Sequence, residues 1–335
     1  MNLSKRAAFS KNPGRIPPLP DDQVAIWNDN GIWMTNVGNG NEQLILTDAE
    51  IALLGYVKLS NGKIPASVIP GATTAQFLGD RQDLTLIIYY GQSLSTGNTN
   101  TGAITTTNPD PDIISFSGGV KSQTGEFGSV IPAVEDNRSA PDGTQSGETG
   151  LVFGSYQLTQ FADSEGADDG PQYLVQTCGR SNSRLDQLVE GAGTGYYEDF
   201  LKPVIVAAGE YANSQNKTIE IPAVIWRQGE GGTSPATREA YKTQLETLRA
   251  QIQQDAIDNF TRAQPLKMIS YQTSGFGSTG TISAEAQWDL HRTSDWFMIA
   301  SPVYPIYAAG LYSTQDKIHL TSPGYAWLSV YEHQA

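Results

Sequence analysis

From Asp83 onward the chain repeats one pattern: an apolar run of strand length, then a longer segment whose apolar residues recur at helical spacing. The runs are LTLIIYY (84–90), QYLVQT (172–177), IPAVIW (221–226), PLKMISYQ (265–272) and WFMIA (296–300). Near-continuous apolar runs are what strands covered on both faces require, and a helix after each run supplies the crossover that parallel strands need. The expected fold is therefore α/β: a three-layer α/β/α sandwich with a parallel five-stranded sheet. The clearest helix segment is SPATREAYKTQLETLRAQIQQDAIDNF (234–260), where Tyr241, Leu245, Leu248, Ile252 and Phe260 fall near one face. Weaker ones are GLVFGSYQLTQFA (150–162), YEDFLKPVIVAAGEYANSQ (197–215) and SAEAQWDLHRTS (283–294), and a last helix begins after Ser322 in SPGYAWLSVYEH.

The first part of the chain has a different texture. At 335 residues a main domain with a smaller appendage is expected. Residues 1–20 are rich in Pro, Lys and Arg with little to bury, and read as a flexible arm. Residues 21–82 read as an attachment or connector region containing a β-hairpin, QVAIWNDNGIWMTNV, whose NDNG supplies turn residues tolerant of positive φ. TDAEIALLGY reads as a short helix capped by Thr47, and the Pro- and Gly-punctuated stretch after it as a linker. Residues 83–335 form the main domain.

Charge and composition narrow the partners. Lys and Arg number 21 against 35 Asp and Glu, a formal charge of −14 that repels nucleic acid and anionic membrane surfaces, so neither is expected as a partner. The single cysteine, Cys178, excludes an internal disulfide framework and a multi-cysteine zinc site. No HExxH or similar ligand spacing occurs, so no metal and no cofactor is expected. The basic N-terminus lacks an apolar stretch of signal-peptide length, so work outside a cell would not rest on that export route.

In parallel sheets ligands bind beyond the carboxyl ends of the strands, so the residues after each run carry the information. They are Gly91-Gln92-Ser93, then Gly179-Arg180 after Cys178, then Arg227-Gln228-Gly229-Glu230, and across a loop from the fifth run Asp316 and His319. Acyl transfer needs a hydroxyl, a base to take its proton, and donors for the oxyanion. Ser93 fits the nucleophile, His319 the base and Asp316 its partner. The backbone N–H groups of Ser93 and Gly179 and the Gln228 amide fit the oxyanion hole. Ser95 falls outside the G-Q-S position and reads as structural. His291, inside a helix segment, and His333, near the last residue, read as solvated imidazoles.

The blocks GQSLSTG, GRSNSRLDQL, WRQGEGG and DKIHLTSPGYAWL resemble, in that order, the motif blocks of the SGNH-hydrolase superfamily, especially its sialate O-acetylesterase-like carbohydrate esterases. The resemblance spans about residues 83–335 and implies an SGNH, flavodoxin-like sandwich. It also implies the roles just given for Ser93, His319, Asp316, Gly179 and Gln228, with Glu230 as structural support. Arg180 and Arg227 are candidate substrate contacts. The chain departs from the family at Leu94, where Asn is common, so a local turn hydrogen bond is expected to be lost. The Gly179 block is also looser, with Arg180 and Arg184 where small residues are usual. KLSNGKIPASVIP is similar to connector segments of bacteriophage tail fibres and tailspikes.

Together these imply a phage tailspike deacetylase: a serine esterase on the virion tail, acting outside the host cell. Its substrate would be O-acetylated bacterial surface polysaccharide. Its N-terminal region would bind the phage tail, baseplate or another tail fibre, and the assembly would be a homotrimer. The alternatives are a non-catalytic polysaccharide receptor-binding protein on the same scaffold and a broader lipase or thioesterase of the superfamily.

Overall fold

The computed structural model describes residues 23–28, 31–36 and 42–47, and everything from 83 onward except 99–101, 122–125, 138–146, 165–169, 231–234, 261–264, 274–279, 303–309 and 312–317. The chain divides into two units, Met1–Asp80 and Arg81–Ala335.

In the first unit, β1 (Gln23–Asn28), β2 (Gly31–Asn36) and β3 (Glu42–Thr47) form a sheet in that order. The antiparallel register of β1 and β2 runs from Gln23↔Asn36 to Asn28↔Gly31, which is the pairing of a hairpin. β3 was not anticipated from the sequence, although LIL within EQLILT is its signal. The arm over residues 1–20, the helix expected after Thr47 and the linker that follows it lie outside the described residues.

The second unit is an α/β sandwich. Its strands are β4 (Leu84–Gly91), β5 (Ile113–Phe116), β6 (Val130–Pro132), β7 (Gln172–Thr177), β8 (Ile219–Glu220), β9 (Ala223–Arg227), β10 (Lys267–Gln272) and β11 (Phe297–Pro302). The order is β11-β10-β9-β4-β7-β5-β6, with β8 paired to the start of β4. The sheet thus has eight strands where five were expected: β5, β6 and β8 are additional, and β6 runs antiparallel on the edge. Pro132 is tolerated in that edge strand because a missing N–H costs no ladder bond on the open side.

Helices α1 (Leu151–Ser164), α2 (Lys202–Ser214), α3 (Arg238–Asn259), α4 (Gly280–Thr293) and α5 (Ser322–Gln334) cover the sheet. Side chains on a strand alternate faces. On β4, Leu84, Leu86, Ile88 and Tyr90 join Val204 and Ile205 of α2 and Tyr241, Leu245, Leu248 and Ile252 of α3 in one core. Ile87 and Tyr89 point the other way, into a core with Leu151 and Val152 of α1. All eight residues of β4 are buried, as a central strand covered on both sides must be. Thr237 caps α3 by accepting from the Ala240 N–H, and Thr321 caps α5 by accepting from Gly324, so α5 starts at Ser322 itself. Among the described residues no helix is long and apolar enough to cross a membrane.

Candidate active site

The central strand ends in the candidate nucleophile, and its two neighbours carry the candidate oxyanion donors. Gly91 pairs with Arg227 across β4 and β9, and the Gln92 N–H donates to the Arg227 carbonyl at 2.8 Å. On the other side the Arg180 N–H donates to the Gly91 carbonyl at 3.0 Å, just beyond β7. Ser93 therefore lies at a strand tip between the strand end bearing Gln228 and the one bearing Gly179.

Two glycines make this convergence possible. Gly91 has φ +142°, and a Cβ there would lie 2.2 Å from the Arg227 carbonyl oxygen. A Cβ on Gly179 would lie 1.8 Å from Ser95 Oγ and 2.8 Å from the Gly91 carbonyl oxygen. The backbone of the Gly179 loop thus reaches the nucleophile turn at a distance no other residue allows.

The turn is held by its own polar groups. The Ser93 carbonyl accepts from the Thr96 N–H at 3.2 Å, the Thr96 hydroxyl at 2.9 Å and the Asn98 N–H at 3.2 Å. Ser95 donates its hydroxyl to the Gln92 carbonyl at 2.6 Å, and its carbonyl accepts from the Thr177 hydroxyl. Ser95 is spent on turn geometry, whereas the turn contacts of Ser93, 7% exposed, run through its carbonyl and not its hydroxyl.

Gln228 is 1% exposed, and its Oε1 accepts from the Tyr241 hydroxyl at 3.0 Å. Its carbonyl accepts from Gln287 Nε2 at 2.9 Å. Glu230 accepts at one oxygen from both the Tyr271 hydroxyl at 2.5 Å and Gln92 Nε2 at 3.4 Å, tying the nucleophile loop to β10.

His319 is half-buried and is separated from the start of α5 only by Leu320 and the cap residue Thr321. Leu320, next to it, lies in one apolar cluster with Leu94, next to Ser93, together with Tyr271, Tyr325 and Leu328. The Tyr325 hydroxyl donates to the Asn98 carbonyl at 2.7 Å and the Ser322 hydroxyl to the Gly102 carbonyl at 2.6 Å. The start of α5 is thus pinned to the segment that follows the nucleophile turn. Leu94 thus packs in one apolar cluster with Leu320 and with Tyr325 and Leu328 of α5. Asp316 lies outside the described residues.

One substrate-contact expectation is corrected. Arg227 does not face a substrate: it is fully buried, with Nε and Nη2 on Glu332 of α5 and Nη1 on the carbonyls of Leu94 and Thr149. Its guanidinium lies over the Tyr89 ring, 4.0 Å from the centroid. Arg180 is also buried, with Nη1 on the Gly179 carbonyl at 2.6 Å and its guanidinium against the Phe200 ring, so it steadies the backbone at Gly179. Arg184 makes a local ion pair with Asp186.

The remaining histidines have other work. His291 Nδ1 accepts from the Ile299 N–H at 3.3 Å. His333 is not solvated as expected: its ring packs against Gly154 and Tyr89, and Nδ1 sits 2.8 Å from the Ser329 carbonyl. Burial pushes its pKa down to about 4, with the nearby Arg227 acting in the same direction.

Sequence reasoning missed Tyr241, Tyr271, Gln287 and Glu332. Tyr241 registered only as one member of a helix face, and nothing in the spacing of the others marks them as partners of the strand-end motifs.

The family model for carbohydrate esterases described as sialic acid-specific acetylesterases matches residues 83–331. A search of curated proteins returns no match. Among solved structures the fold is similar to that of a protein from Arabidopsis thaliana, at 18% identity over 76% of this chain and 97% of that one, with a TM-score of 0.52. It is also similar to NanS, at 12% identity over 76% of this chain and 96% of that one, with a TM-score of 0.53. A carbohydrate acetylesterase from Xanthomonas citri aligns at 15% identity over 74% of this chain and 55% of its own length, with a TM-score of 0.45.

Proposed function

The chain belongs to the family of carbohydrate esterases described as sialic acid-specific acetylesterases, and from that premise we propose that it removes O-acetyl groups from bacterial surface polysaccharide through Ser93, His319 and Asp316. The observation that carries this reading is the arrangement around one strand tip. Gly179 and Gln228 follow the two strands that flank β4, while Leu94 and Leu320, the sequence neighbours of Ser93 and His319, share one apolar cluster.

The chemistry follows from those positions. Ser93 Oγ attacks the acetyl carbonyl carbon and passes its proton to His319. The carbonyl oxygen gains the negative charge and is met by the N–H groups of Ser93 and Gly179 and the amide of Gln228. As the tetrahedral intermediate collapses, the sugar oxygen leaves and takes the proton from His319, with the acetyl group now on Ser93. His319 then deprotonates a water that attacks this ester, acetate departs, and the proton returns to Ser93. Asp316 orients the imidazole and balances its charge while protonated.

The finer setting is a phage tailspike in which residues 21–82 attach the enzyme to the virion tail and the chains form a homotrimer. Its support is the likeness of KLSNGKIPASVIP to tail-fibre connectors and the division of the chain into two units. Residues 81–335 produced alone should keep esterase activity, and sedimentation of the full chain should give a trimer. A monomer would remove the assembly from the reading.

The activity is tested by incubating the protein with acetylated and chemically deacetylated surface polysaccharide and measuring free acetate. Release from the acetylated polymer alone, abolished by Ser93→Ala, is expected. Tight binding of the polymer with no release above that of Ser93→Ala would assign the protein to polysaccharide recognition without cleavage.

A further inference from the structure

An amide can serve an oxyanion only if its NH2 end, not its oxygen, faces the charge. For Gln228 the choice is made by a chain of hydrogen bonds that begins at two groups with no freedom of role. The indole N–H of Trp226 can only donate, and it points at the Tyr241 hydroxyl oxygen at 3.1 Å. Tyr241 therefore accepts there, and its own proton is directed to Gln228 Oε1 at 3.0 Å.

The second group is the backbone N–H of Thr273, which donates to Gln287 Oε1 at 3.0 Å. That contact turns Gln287 Nε2 toward the Gln228 carbonyl, 2.9 Å away, which accepts there in preference to the Tyr241 hydroxyl at 3.4 Å. With its carbonyl already served, Gln228 offers Oε1 to Tyr241 and has its Nε2 turned away from the tyrosine. All four side chains are buried, so water does not compete. Burial also keeps the Tyr241 hydroxyl protonated by raising its pKa, so it remains a donor throughout the working pH range.

We propose that Tyr241 is a positioning residue for the reaction: held by Trp226, its hydroxyl locks the Gln228 side chain with Nε2 toward the developing oxyanion. This rests on the reading of Gln228 as an oxyanion donor. When the hydroxyl is removed, the amide loses the contact that separates its two orientations. In the reversed orientation its oxygen repels the charge it should stabilise. Binding of the neutral substrate is little affected, because the difference is felt only as charge forms.

The test is a double-mutant cycle of Tyr241→Phe and Gln228→Ala, read as kcat and KM for a small acetyl ester and as thermal midpoint. Tyr241→Phe should lower kcat about tenfold, the size of one net hydrogen bond, with KM within about twofold. In the Gln228→Ala background the same change should leave kcat unaltered, because Tyr241 has nothing left to orient. Trp226→Phe, which removes the donor behind Tyr241, should show a smaller kcat loss that also vanishes without Gln228; it serves as the reading if Tyr241→Phe does not fold.

A kcat loss that persists in the Gln228→Ala background, or an unchanged kcat in both aromatic variants while Gln228→Ala is impaired, overturns the proposal. If Gln228→Ala itself retains full kcat, the oxyanion role of Gln228 fails first, and the positioning role with it.

Discussion

Arg227 and Glu332 form a fully buried ion pair across 105 residues of sequence, with Arg227 Nε 3.0 and 3.1 Å from the two carboxylate oxygens. The pair joins β9, which leads into Gln228, to α5, which follows His319. Nη1 extends the link to the Leu94 carbonyl at 3.1 Å and the Thr149 carbonyl at 2.8 Å. One guanidinium thus fastens three of the segments that meet around Ser93.

Removing one partner leaves the other charge buried and unmatched, a loss of about 3–5 kcal/mol. Arg227→Met and Glu332→Leu should each lower urea stability by that order, and the double variant by clearly less than their sum. Single variants costing under about 1 kcal/mol would show that the pair does not brace the site.

Gly179→Ala should damage the site more than its size suggests. The new methyl would lie 1.8 Å from Ser95 Oγ, which cannot swing aside without giving up its 2.6 Å bond to the Gln92 carbonyl. Esterase kcat should fall on the order of 10² or more, as for loss of an oxyanion donor, with helix content retained by circular dichroism. Adding Ser95→Ala should restore part of the stability and not all, because the Gly91 carbonyl still stands 2.8 Å from the methyl. Full activity in Gly179→Ala would contradict the close approach of the two loops.

The pH dependence of stability carries a signature of His333. Its folded pKa is lowered from 6.5 to about 4, so the unfolded chain binds the proton first. Its contribution is complete above about 6.5 and is lost as pH falls toward 4. Glu135 works in the opposite sense. Burial first and Glu148 second raise its pKa to about 7, against Lys121 and Thr149, so its contribution declines as pH rises from its unfolded value toward 7. Thermal midpoints measured from pH 7 to 4 should fall less steeply for His333→Gln than for the unsubstituted protein. Parallel curves would contradict a half-buried imidazole held neutral by its surroundings.

The sequence revealed β4, β7, β9, β10 and β11 because each carries an apolar run five to eight residues long. It concealed β5, β6 and β8, which are two to four residues long and, in β6, carry a proline that reads as a turn. The strand-end motifs were legible because Ser, Gln and Gly stand directly after apolar runs, where a parallel sheet presents its ligands. Arg227 was misread because an arginine at a strand end looks available to substrate. Only the fold brings Glu332 to it from the last helix. Tyr241 was hidden for a related reason: an apolar helix position does not disclose that its hydroxyl meets a strand-end glutamine.

The central claim is that Ser93 carries the acyl group, and covalent trapping addresses it most directly. The protein would be treated with a fluorophosphonate ester, digested, and the modified peptide sequenced by mass spectrometry. The account predicts a single adduct on Ser93, greatly slowed by His319→Ala and absent in Ser93→Ala, which also releases no acetate. An adduct on Ser95, or undiminished acetate release by Ser93→Ala, would contradict it.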